Sequence, residues 1–355
     1  MPTKSSRARK WVEQSKAIGC WSDLGVYYVR LIHQPSAYNT QQIVVGIDPG
    51  RSYSGVGVQS AKFTLFMAHL VLPFQTVKDR MEQRRIMRRG RRGRRINRKI
   101  LYQQRAHRQK RFDNRRGHKL PPSIKANRQL ELRIVKELCR LFPVSSIVYE
   151  YVEARGDKGF SPVMVGQKFM LQWLSELASV ETQYGWETAK LRNHLGLVKT
   201  KDKSAQTPQS HAVDGIALAA SQFINYRAFH TANTHGHYWH GEVAITSAPF
   251  VVIRRPPISH RQLHLMVPSF GGVRRKYGGS TTRHGLRKGD YVLAEKAGRI
   301  SQGWVSGDTE RQVSVSDSNW TRLGQFTARK VQLIARSTGL IVTAVKTAVS
   351  CSSAT

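Results

Sequence analysis

The sequence predicts an α/β protein whose core of strands and helices is followed by a β-rich segment. Three observations carry this prediction. Residues 43–72 contain three strand-like apolar runs joined by short turns with glycine, as in β-hairpins. Residues 124–143 then repeat leucine and isoleucine at helical spacing. From residue 286 onward, four or five short strand-like runs predict a small β-barrel.

The composition fits a folded protein of two or three domains that binds a polyanion. Hydrophobic residues make up 40% of the 355 residues, which is normal for a folded chain. Its 58 Lys and Arg against 22 Asp and Glu give a net charge of +36. A surplus of this size attracts nucleic acid. The basic residues do not lie on a Leu- or Phe-rich amphipathic helix, so we expect no membrane partner.

The cysteines and the N-terminal residues predict a cytoplasmic protein. Cys20, Cys139 and Cys351 lie far apart and form no CxxC pair. This spacing excludes a zinc ribbon and a disulfide framework and fits a reducing compartment. The N-terminal residues contain no apolar signal region, so we expect no signal peptide.

The stretch IVVGIDPG, at residues 43–50, ends an apolar strand in a carboxylate. Asp48 is followed at once by a Pro-Gly turn and a second strand-like run. An acid at the end of a buried strand is costly unless it holds something positive. In a chain this basic, a metal ion is the first candidate.

Two further acids are predicted to join Asp48. Glu150 lies in a strand-like run, SIVYEYV, and His211 and Asp214 are three residues apart at the start of a helix-like run, HAVDGIALA. Each motif alone is weak evidence, because a single acid is more often an ordinary surface carboxylate. Their order, an acid on the first strand, an acid on a later strand and His-x-x-Asp opening a helix, predicts one shared site.

This donor set predicts two Mg²⁺ ions. Mg²⁺ prefers hard oxygen ligands, which Asp48, Glu150 and Asp214 would supply. Two such ions about 3.5–4 Å apart activate a water molecule and neutralise the leaving oxygen in phosphodiester hydrolysis. His211 would orient or deprotonate the water, or protonate the leaving group.

An arginine-rich segment separates Asp48 from Glu150. Residues 78–116 contain 18 Lys and Arg but only 3 Asp and Glu, and no proline interrupts them. Arginine favours helices, so the pattern predicts a helix with arginines on every face; a disordered basic tail is the alternative. Gly90 and Gly93 either let a phosphate backbone come close or break this helix. The candidate nucleic-acid contacts, chosen because the planar guanidinium binds phosphate bidentately, are Arg84, Arg85, Arg88, Arg89, Arg91, Arg92, Arg94, Arg95 and Arg98.

Residues 230–285 are rich in histidine, arginine and glycine. The run HTANTHGHYWHGEV contains four histidines but no HExxH or Cys partner, so we expect an exposed loop here and no metal site. The later run GGVRRKYGG mixes basic and aromatic residues with glycine, which suits contact with a nucleic-acid backbone.

These motifs resemble a known family. IVVGIDPGRSYSGVGV, SIVYEYV and HAVDGIALA are similar to the three split RuvC motifs of an RNase H-like nuclease core, and the arginine-rich segment resembles a bridge helix. The front piece, with PxxxxRARKWV, resembles the N-terminal domain named for its PLMP motif, although the PLMP letters are absent. Together they resemble the IscB group of transposon-encoded, RNA-guided nucleases, the OMEGA systems, over residues 1–230.

The spacing of the motifs narrows the resemblance. Only 60 residues, 151–210, separate Glu150 from His211, and they contain no paired Cys and one His. An HNH nuclease occupies this place in IscB, so the chain most resembles IsrB, the HNH-lacking member. TnpB-like proteins usually carry a CxxC…CxxC zinc site, which is absent. The resemblance implies a nickase that cuts the non-target DNA strand, acting as a monomeric protein with a large structured guide RNA on target duplex DNA, in the bacterial cytoplasm near the nucleoid.

The resemblance also implies a division of the chain into six segments. In the C-terminal region it implies contact with guide RNA and with the short duplex motif beside the target, for which the candidate residues are Arg274, Arg275, Lys276 and Tyr277. The segments are a PLMP-like domain (1–40), RuvC part I (41–77), the bridge helix (78–118), RuvC parts II and III (119–230), a guide-RNA-interacting region (231–285) and a β-barrel that interacts with the target-adjacent motif (286–355).

Two alternatives remain at the level of sequence. The first is a guide-free, structure-selective RuvC-like endonuclease of the junction-resolvase type, which would not need the arginine-rich segment or a basic C-terminal half. The second is a non-catalytic RNA-guided DNA-binding protein, against which the three intact acids argue. A co-purifying RNA and metal-dependent cleavage would distinguish the three functions.

Overall fold

The computed structural model describes residues 3–34, 39–94, 97–104, 120–153, 161–257 and 282–345. These residues form two compact units. The first comprises residues 39–248, and the second combines residues 3–34 with residues from 249 onward. No helix within the described ranges has the length and apolar character needed to cross a bilayer.

The N-terminal part of the second unit is a helix followed by a hairpin. Across the hairpin Trp21 pairs with Tyr27, and their exposed rings meet edge to face with centroids 5.3 Å apart. The turn is closed by Ser22, whose hydroxyl accepts hydrogen bonds from the backbone of Leu24 and Val26. The elements are α1 (Ser5–Glu13), β1 (Ala17–Trp21) and β2 (Tyr27–Leu31).

The first unit is a mixed sheet with helices packed against it. The predicted strands around Asp48 and Glu150 are present, as are the helix after the arginine-rich segment and the helix that begins at HAVD. In chain order the elements are β3 (Val44–Asp48), β4 (Tyr53–Gln59), β5 (Thr64–Val71), α2 (Phe74–Arg94), α3 (Pro122–Leu141), β6 (Ser146–Tyr151), α4 (Pro162–Ser175), β7 (Ser179–Tyr184), α5 (Gly185–His194), α6 (Ala212–Ala220), β8 (Ile224–His230) and β9 (His235–Gly241).

Two kinds of strand pairing meet at β3. The order across this part of the sheet is β5-β4-β3-β6-β7. Strands β3, β4 and β5 form an antiparallel meander, whereas β6 and β7 run parallel to β3. Parallel strands need a crossover connection, and here α2 and α3 lie between β3 and β6 in the chain. The carboxyl ends of β3, β6 and β7 therefore share one edge of the sheet.

Glycines in the sheet bring α6 into direct contact with the backbone of β3 and β4. A Cβ atom added at Gly46 would lie 2.0 Å from the carbonyl oxygen of Gly215. At Gly55 it would lie 1.9 Å from the carbonyl oxygen of His211. At Gly57 it would lie 2.5 Å from the backbone nitrogen of Ile216. Because no larger side chain fits these three positions, the main chains of helix and strands touch.

The arginine-rich helix is shorter than the sequence predicts. We expected a helix over residues 78–118, but α2 ends at Arg94 and residues 97–101 are not helical. Both Gly90 and Gly93 lie inside the helix, so neither breaks it. Only two residues separate the end of β5 from the start of α2, which fixes the helix next to the sheet.

The histidine-rich run is a hairpin, not the loop expected from the sequence. Strands β8 and β9 pair antiparallel from the Ile224–Gly241 pair to the His230–His235 pair. The turn is closed by a hydrogen bond from the Thr231 amide to the Thr234 carbonyl, 2.7 Å long. Tyrosine, phenylalanine and tryptophan favour strands, and they outweigh the polar histidines and the glycines in this run.

The C-terminal part of the second unit contains the five strands of one sheet after residue 286, where the sequence predicts four or five strands. They form an antiparallel sheet in the order β14-β13-β12-β11-β15, so strand pairing leaves two edges and does not close a barrel within the described residues. Another antiparallel pair joins β10 to β16. These elements are β10 (Phe250–Arg254), β11 (Tyr291–Lys296), β12 (Arg299–Asp308), β13 (Gln312–Ser316), β14 (Arg322–Thr327), β15 (Val331–Ala335) and β16 (Ile341–Val345).

Candidate active site

Asp48 and Glu150 lie side by side at the carboxyl edge of the sheet. The parallel register of β3 and β6 pairs Ile47 with Tyr149. The next residue on each strand is one of the two acids, so both leave the sheet at the same edge. Each is half-buried, whereas the residues before it on its strand are buried. The strands thus deliver two carboxylates from an apolar interior to one point near the surface.

Helix α6 adds His211 and Asp214 to the same edge. His211 precedes the first residue of the helix, and its Nδ1 lies 2.9 Å from Oδ2 of Asp48. Asp214 lies in the first turn and is buried. Because α6 lies directly on the glycines of β3 and β4, the backbone fixes the place of both side chains relative to Asp48. The four residues expected to form one site are therefore neighbours in the fold.

The carboxylates interact strongly with one another. Burial, followed by the negative charges of Asp48 and Asp214, raises the pKa of Glu150 to about 8. Its Oε1 lies against the start of α5, where a Cβ atom on Gly185 would come within 2.6 Å. Glycine at this position leaves room for the carboxylate. Burial and nearby like charges both disfavour ionisation, so the Glu150 carboxyl group holds its proton to a higher pH than usual.

Two basic residues that sequence reasoning missed contact Asp214. Nη1 of Arg192, on α5, lies 2.6 Å from Oδ1 of Asp214, and Nζ of Lys199 contacts Oδ2. Both residues also lower the pKa of Glu150, against the larger effects that raise it. Both residues lie in the run LRNHLGLVKTKD, at residues 191–202. Their signal in the sequence is their position shortly before HAVD. In a chain with 58 Lys and Arg, two basic residues at such a position are not distinctive.

The donor set fits Mg²⁺ by its chemistry. Three carboxylates are close enough for Asp48 and Asp214 to raise the pKa of Glu150, and hard oxygen atoms are the ligands that Mg²⁺ prefers. Their present arrangement is not that of a closed site, since the described residues contain no group of three or more His, Cys, Asp or Glu side chains that could hold an ion. Both oxygens of Asp214 contact Arg192 and Lys199. A metal ion would have to compete with these two cations.

A buried polar cluster holds the Pro-Gly turn that follows β3. Arg128, on α3, donates to the carbonyl oxygen of Gly50 at 2.8 Å and to the hydroxyl of Tyr149 at 2.6 Å, and it pairs with Glu131 at 3.0 Å. Glu131 accepts a hydrogen bond from Ser54, whose Oγ accepts one from the Gly50 amide at 3.0 Å. The cluster therefore binds both backbone groups of Gly50, two residues after the catalytic candidate on β3.

The predicted nucleic-acid contacts are only partly described. Those whose side chains the structure describes are exposed on α2 or shortly after it: Arg84, Arg85, Arg88, Arg89 and Arg98. Within α2, but without a described side chain, are Arg91, Arg92 and Arg94. Those that lie outside the described residues are Arg95, Arg274, Arg275, Lys276 and Tyr277.

The raised pKa of Glu150 predicts that the metal-free protein loses stability as the pH rises. A carboxyl group whose folded-state pKa is raised contributes stability that is fully present below its unfolded pKa. Here this contribution is present below pH 4.5 and is lost as the pH rises through about 8. We expect Glu150→Gln to flatten this part of the profile. The measurement is the free energy of unfolding in urea across this pH range, in the presence of EDTA.

A matched control for this prediction is Glu176→Gln. Glu176 is an exposed acid that caps the C-terminus of α4, away from the carboxyl edge of the sheet. This variant should keep the slope of the wild-type profile. Equal slopes in the wild type and Glu150→Gln would contradict the prediction.

Comparison with known proteins gave matches to one family and to solved structures. A Thermus thermophilus structure described as "T. thermophilus RuvC in complex with Holliday junction substrate" is 16% identical, with a TM-score of 0.29 over 50% of this chain and 90% of that chain. Another, "Thermus thermophilus RuvC structure", is 13% identical, with a TM-score of 0.26 over 50% of this chain and 91% of that one. No curated protein matched the chain. Residues 1–163, which include the RRGRR run at residues 91–95, match the family described as "RRXRR protein".

Proposed function

We propose that the protein is an RNA-guided DNA nickase of the HNH-lacking IsrB type. It would cut the non-target strand of duplex DNA in a RuvC-type site. The observation that carries this proposal is the convergence of Asp48, Glu150, His211 and Asp214 at one edge of the sheet, with His211 Nδ1 2.9 Å from Asp48. Acids separated by about a hundred residues of sequence meet there only because of the fold.

The arginine-rich helix and the overall charge support a nucleic-acid partner. Helix α2 follows the third strand of the meander after two residues, and the RRXRR match spans it. On this helix Arg84, Arg85, Arg88 and Arg89 are exposed. With a net charge of +36, the chain can bind a large structured guide RNA through phosphates and 2′-hydroxyl groups. In such a system the guide RNA pairs with the target strand, and base pairing carries the sequence specificity.

The site residues have distinct roles in the proposed reaction. Asp48, Glu150 and Asp214 would hold two Mg²⁺ ions, which when bound supply an activated water and charge neutralisation at the phosphate. His211 is oriented by its Nδ1 contact with Asp48, while its Nε2 is buried and has no hydrogen-bond partner among the described residues. In the proposed reaction this nitrogen would take a proton from the attacking water or give one to the leaving oxygen.

The remaining segments take roles that follow from the same proposal. Residues 1–40 would form the PLMP-like domain, residues 78–118 the bridge segment, and residues 41–77 with 119–230 the RuvC core. Residues 231–285 would contact the guide RNA, and residues 286–355 the duplex motif beside the target. The complex would contain one protein chain, one guide RNA and the guide–target heteroduplex, in the bacterial cytoplasm near the nucleoid.

The test is a cleavage assay with the RNA that co-purifies with the protein. The purified complex, Mg²⁺ and a supercoiled plasmid that bears the guide-matched target should yield nicked circles. Linear product from a single target would contradict a single nuclease centre. Nicking without RNA would instead support the guide-free endonuclease. Plasmid binding that needs RNA but gives no nick would support the non-catalytic binder.

A further inference from the structure

A groove with exposed aromatic side chains leads away from Glu150. A cavity of about 560 Å³ is bounded by Glu150, Tyr184 and Trp186, among others. Trp186 also borders a second cavity of about 400 Å³, whose walls include Lys190 and Tyr226. Trp186 thus lies in the wall of both cavities, which belong to the first unit. We call the two cavities together the Trp186 groove.

The far wall of the groove is built by the β8–β9 hairpin against α5. Tyr226 and Trp239 face each other across the two strands, with ring centroids 5.0 Å apart. Tyr226 stacks on His237 at 4.8 Å, and Trp239 stacks on His194 of α5 at 4.4 Å. Each ring is thus held on one side by another ring. The hairpin is fixed to the helix and the aromatic wall is preorganised.

The groove combines exposed aromatic side chains with positive charge. Trp186 is 60% exposed and Tyr226 is 46% exposed, which is unusual for residues of this size. The Nζ atom of Lys190 lies 5.1 Å from the ring centre of Trp186 and 5.0 Å from that of Tyr226. The nearby carboxylate of Glu187 accepts a hydrogen bond from the Tyr184 amide, 2.7 Å long. An ammonium group between two aromatic rings is complementary to a phosphate flanked by bases.

We propose that the Trp186 groove binds a single-stranded segment of nucleic acid and leads it to Glu150. Bases would stack on Trp186 and Tyr226, and Lys190 would contact a phosphate between them. Every unpaired base offers an aromatic face for such stacking, whereas the bases of a duplex are stacked on each other. The positive charge beside the rings favours this partner over an apolar protein surface. That the bound strand is then cut rests on the proposed nuclease function; the stacking surface itself does not.

The test compares single-stranded and duplex DNA. Binding of fluorescein-labelled oligothymidylate and of a labelled duplex to the full-length protein is measured by fluorescence anisotropy, in EDTA and at a salt concentration that suppresses nonspecific phosphate contacts. We expect Trp186→Ala to raise the Kd for the single strand by about 5-fold or more, since stacking on one aromatic side chain has at least this effect. Tyr226→Ala should act in the same direction. The duplex Kd should change little.

Two control variants separate stacking from other effects. Trp186→Phe keeps an aromatic face and should bind the single strand nearly as the wild type does. Phe63→Ala removes a ring of similar exposure, 49%, from the turn between β4 and β5 and should leave binding unchanged. An unchanged single-strand Kd in Trp186→Ala, or an equal loss for duplex and single strand, would overturn the proposal.

The nicking assay distinguishes failure of this inference from failure of the proposed function. If the wild type never nicks, but single-strand binding depends on Trp186, the groove is supported and the nickase is rejected. If the wild type nicks and Trp186→Ala binds and nicks as the wild type does, the groove alone is rejected.

Discussion

Asp48→Asn is expected to reduce DNA cleavage by at least about 100-fold, since even residues that merely support metal ligands affect activity about 10- to 100-fold. Asparagine keeps the shape of the side chain but removes its charge. It also removes one of the two negative charges that raise the pKa of Glu150. The remaining carboxylates would attract Mg²⁺ less strongly. The measurement is the rate of plasmid nicking with RNA and saturating Mg²⁺.

Controls for Asp48→Asn show whether the effect is confined to the site. The variant should bind RNA and target DNA as the wild type does, because α2 and the exposed basic residues are unchanged. Glu176→Gln, which changes an exposed acid at the end of α4, should nick at the wild-type rate. Near-normal nicking by Asp48→Asn would place the nuclease centre elsewhere in the chain.

Arg128→Met is expected to destabilise the protein by roughly 3–5 kcal/mol, the typical effect of breaking a buried ion pair by removing one partner. Arg128 and Glu131 are both buried, and their charged groups lie 3.0 Å apart. Without Arg128, the buried carboxyl group of Glu131 would lose the cation that opposes the burial-driven rise of its pKa, and among the described residues it would keep its hydrogen bond from Ser54. The measurement is the free energy of unfolding in urea.

The double variant Arg128→Met/Glu131→Leu separates stability from site geometry. Replacing a buried pair by apolar residues is often neutral, so this variant should regain part of the lost stability. We expect both variants to nick DNA more slowly than the wild type, because both lack the hydrogen bond from Arg128 to the Gly50 carbonyl. Full recovery of nicking would show that the cluster stabilises the fold without positioning Asp48.

The sequence was sufficient for the elements with a strong local pattern. Apolar runs that end at Pro-Gly or alternate around an acid predicted β3 and β6, and leucine spacing predicted α3. The small residues of HAVDGIALA and the glycines of β3 and β4 form the two sides of one close contact. The four residues of the candidate site come from β3, β6 and the start of α6, and the strand order of the sheet brings them together.

Contacts between distant residues could not be predicted in this way. Arg128 and Glu131 lie three residues apart in a helix, a spacing typical of an exposed ion pair, and only the fold buries them under the turn after β3. Arg192 and Lys199 lie in a region without any recognisable motif. The β8–β9 hairpin was not predicted because the histidines and glycines in HGHYWHG are typical of a loop, although its aromatic residues favour a strand. The end of α2 was missed because arginine favours a helix at every position.

The contact between α6 and the glycines of β3 and β4 has a consequence for how the protein tolerates change. Main chain touches main chain there, so the spacing between the Asp48 carboxylate and the side chains of His211 and Asp214 depends less on the apolar side chains that also pack α6 against the sheet, such as Val44 and Leu218. Mutations that repack the interior elsewhere can alter the melting temperature while the spacing of the candidate site residues stays the same. A change at the contact itself has the opposite effect. One added methyl group at Gly46, Gly55 or Gly57 would move the whole helix, and the side chains of His211 and Asp214 would move with it.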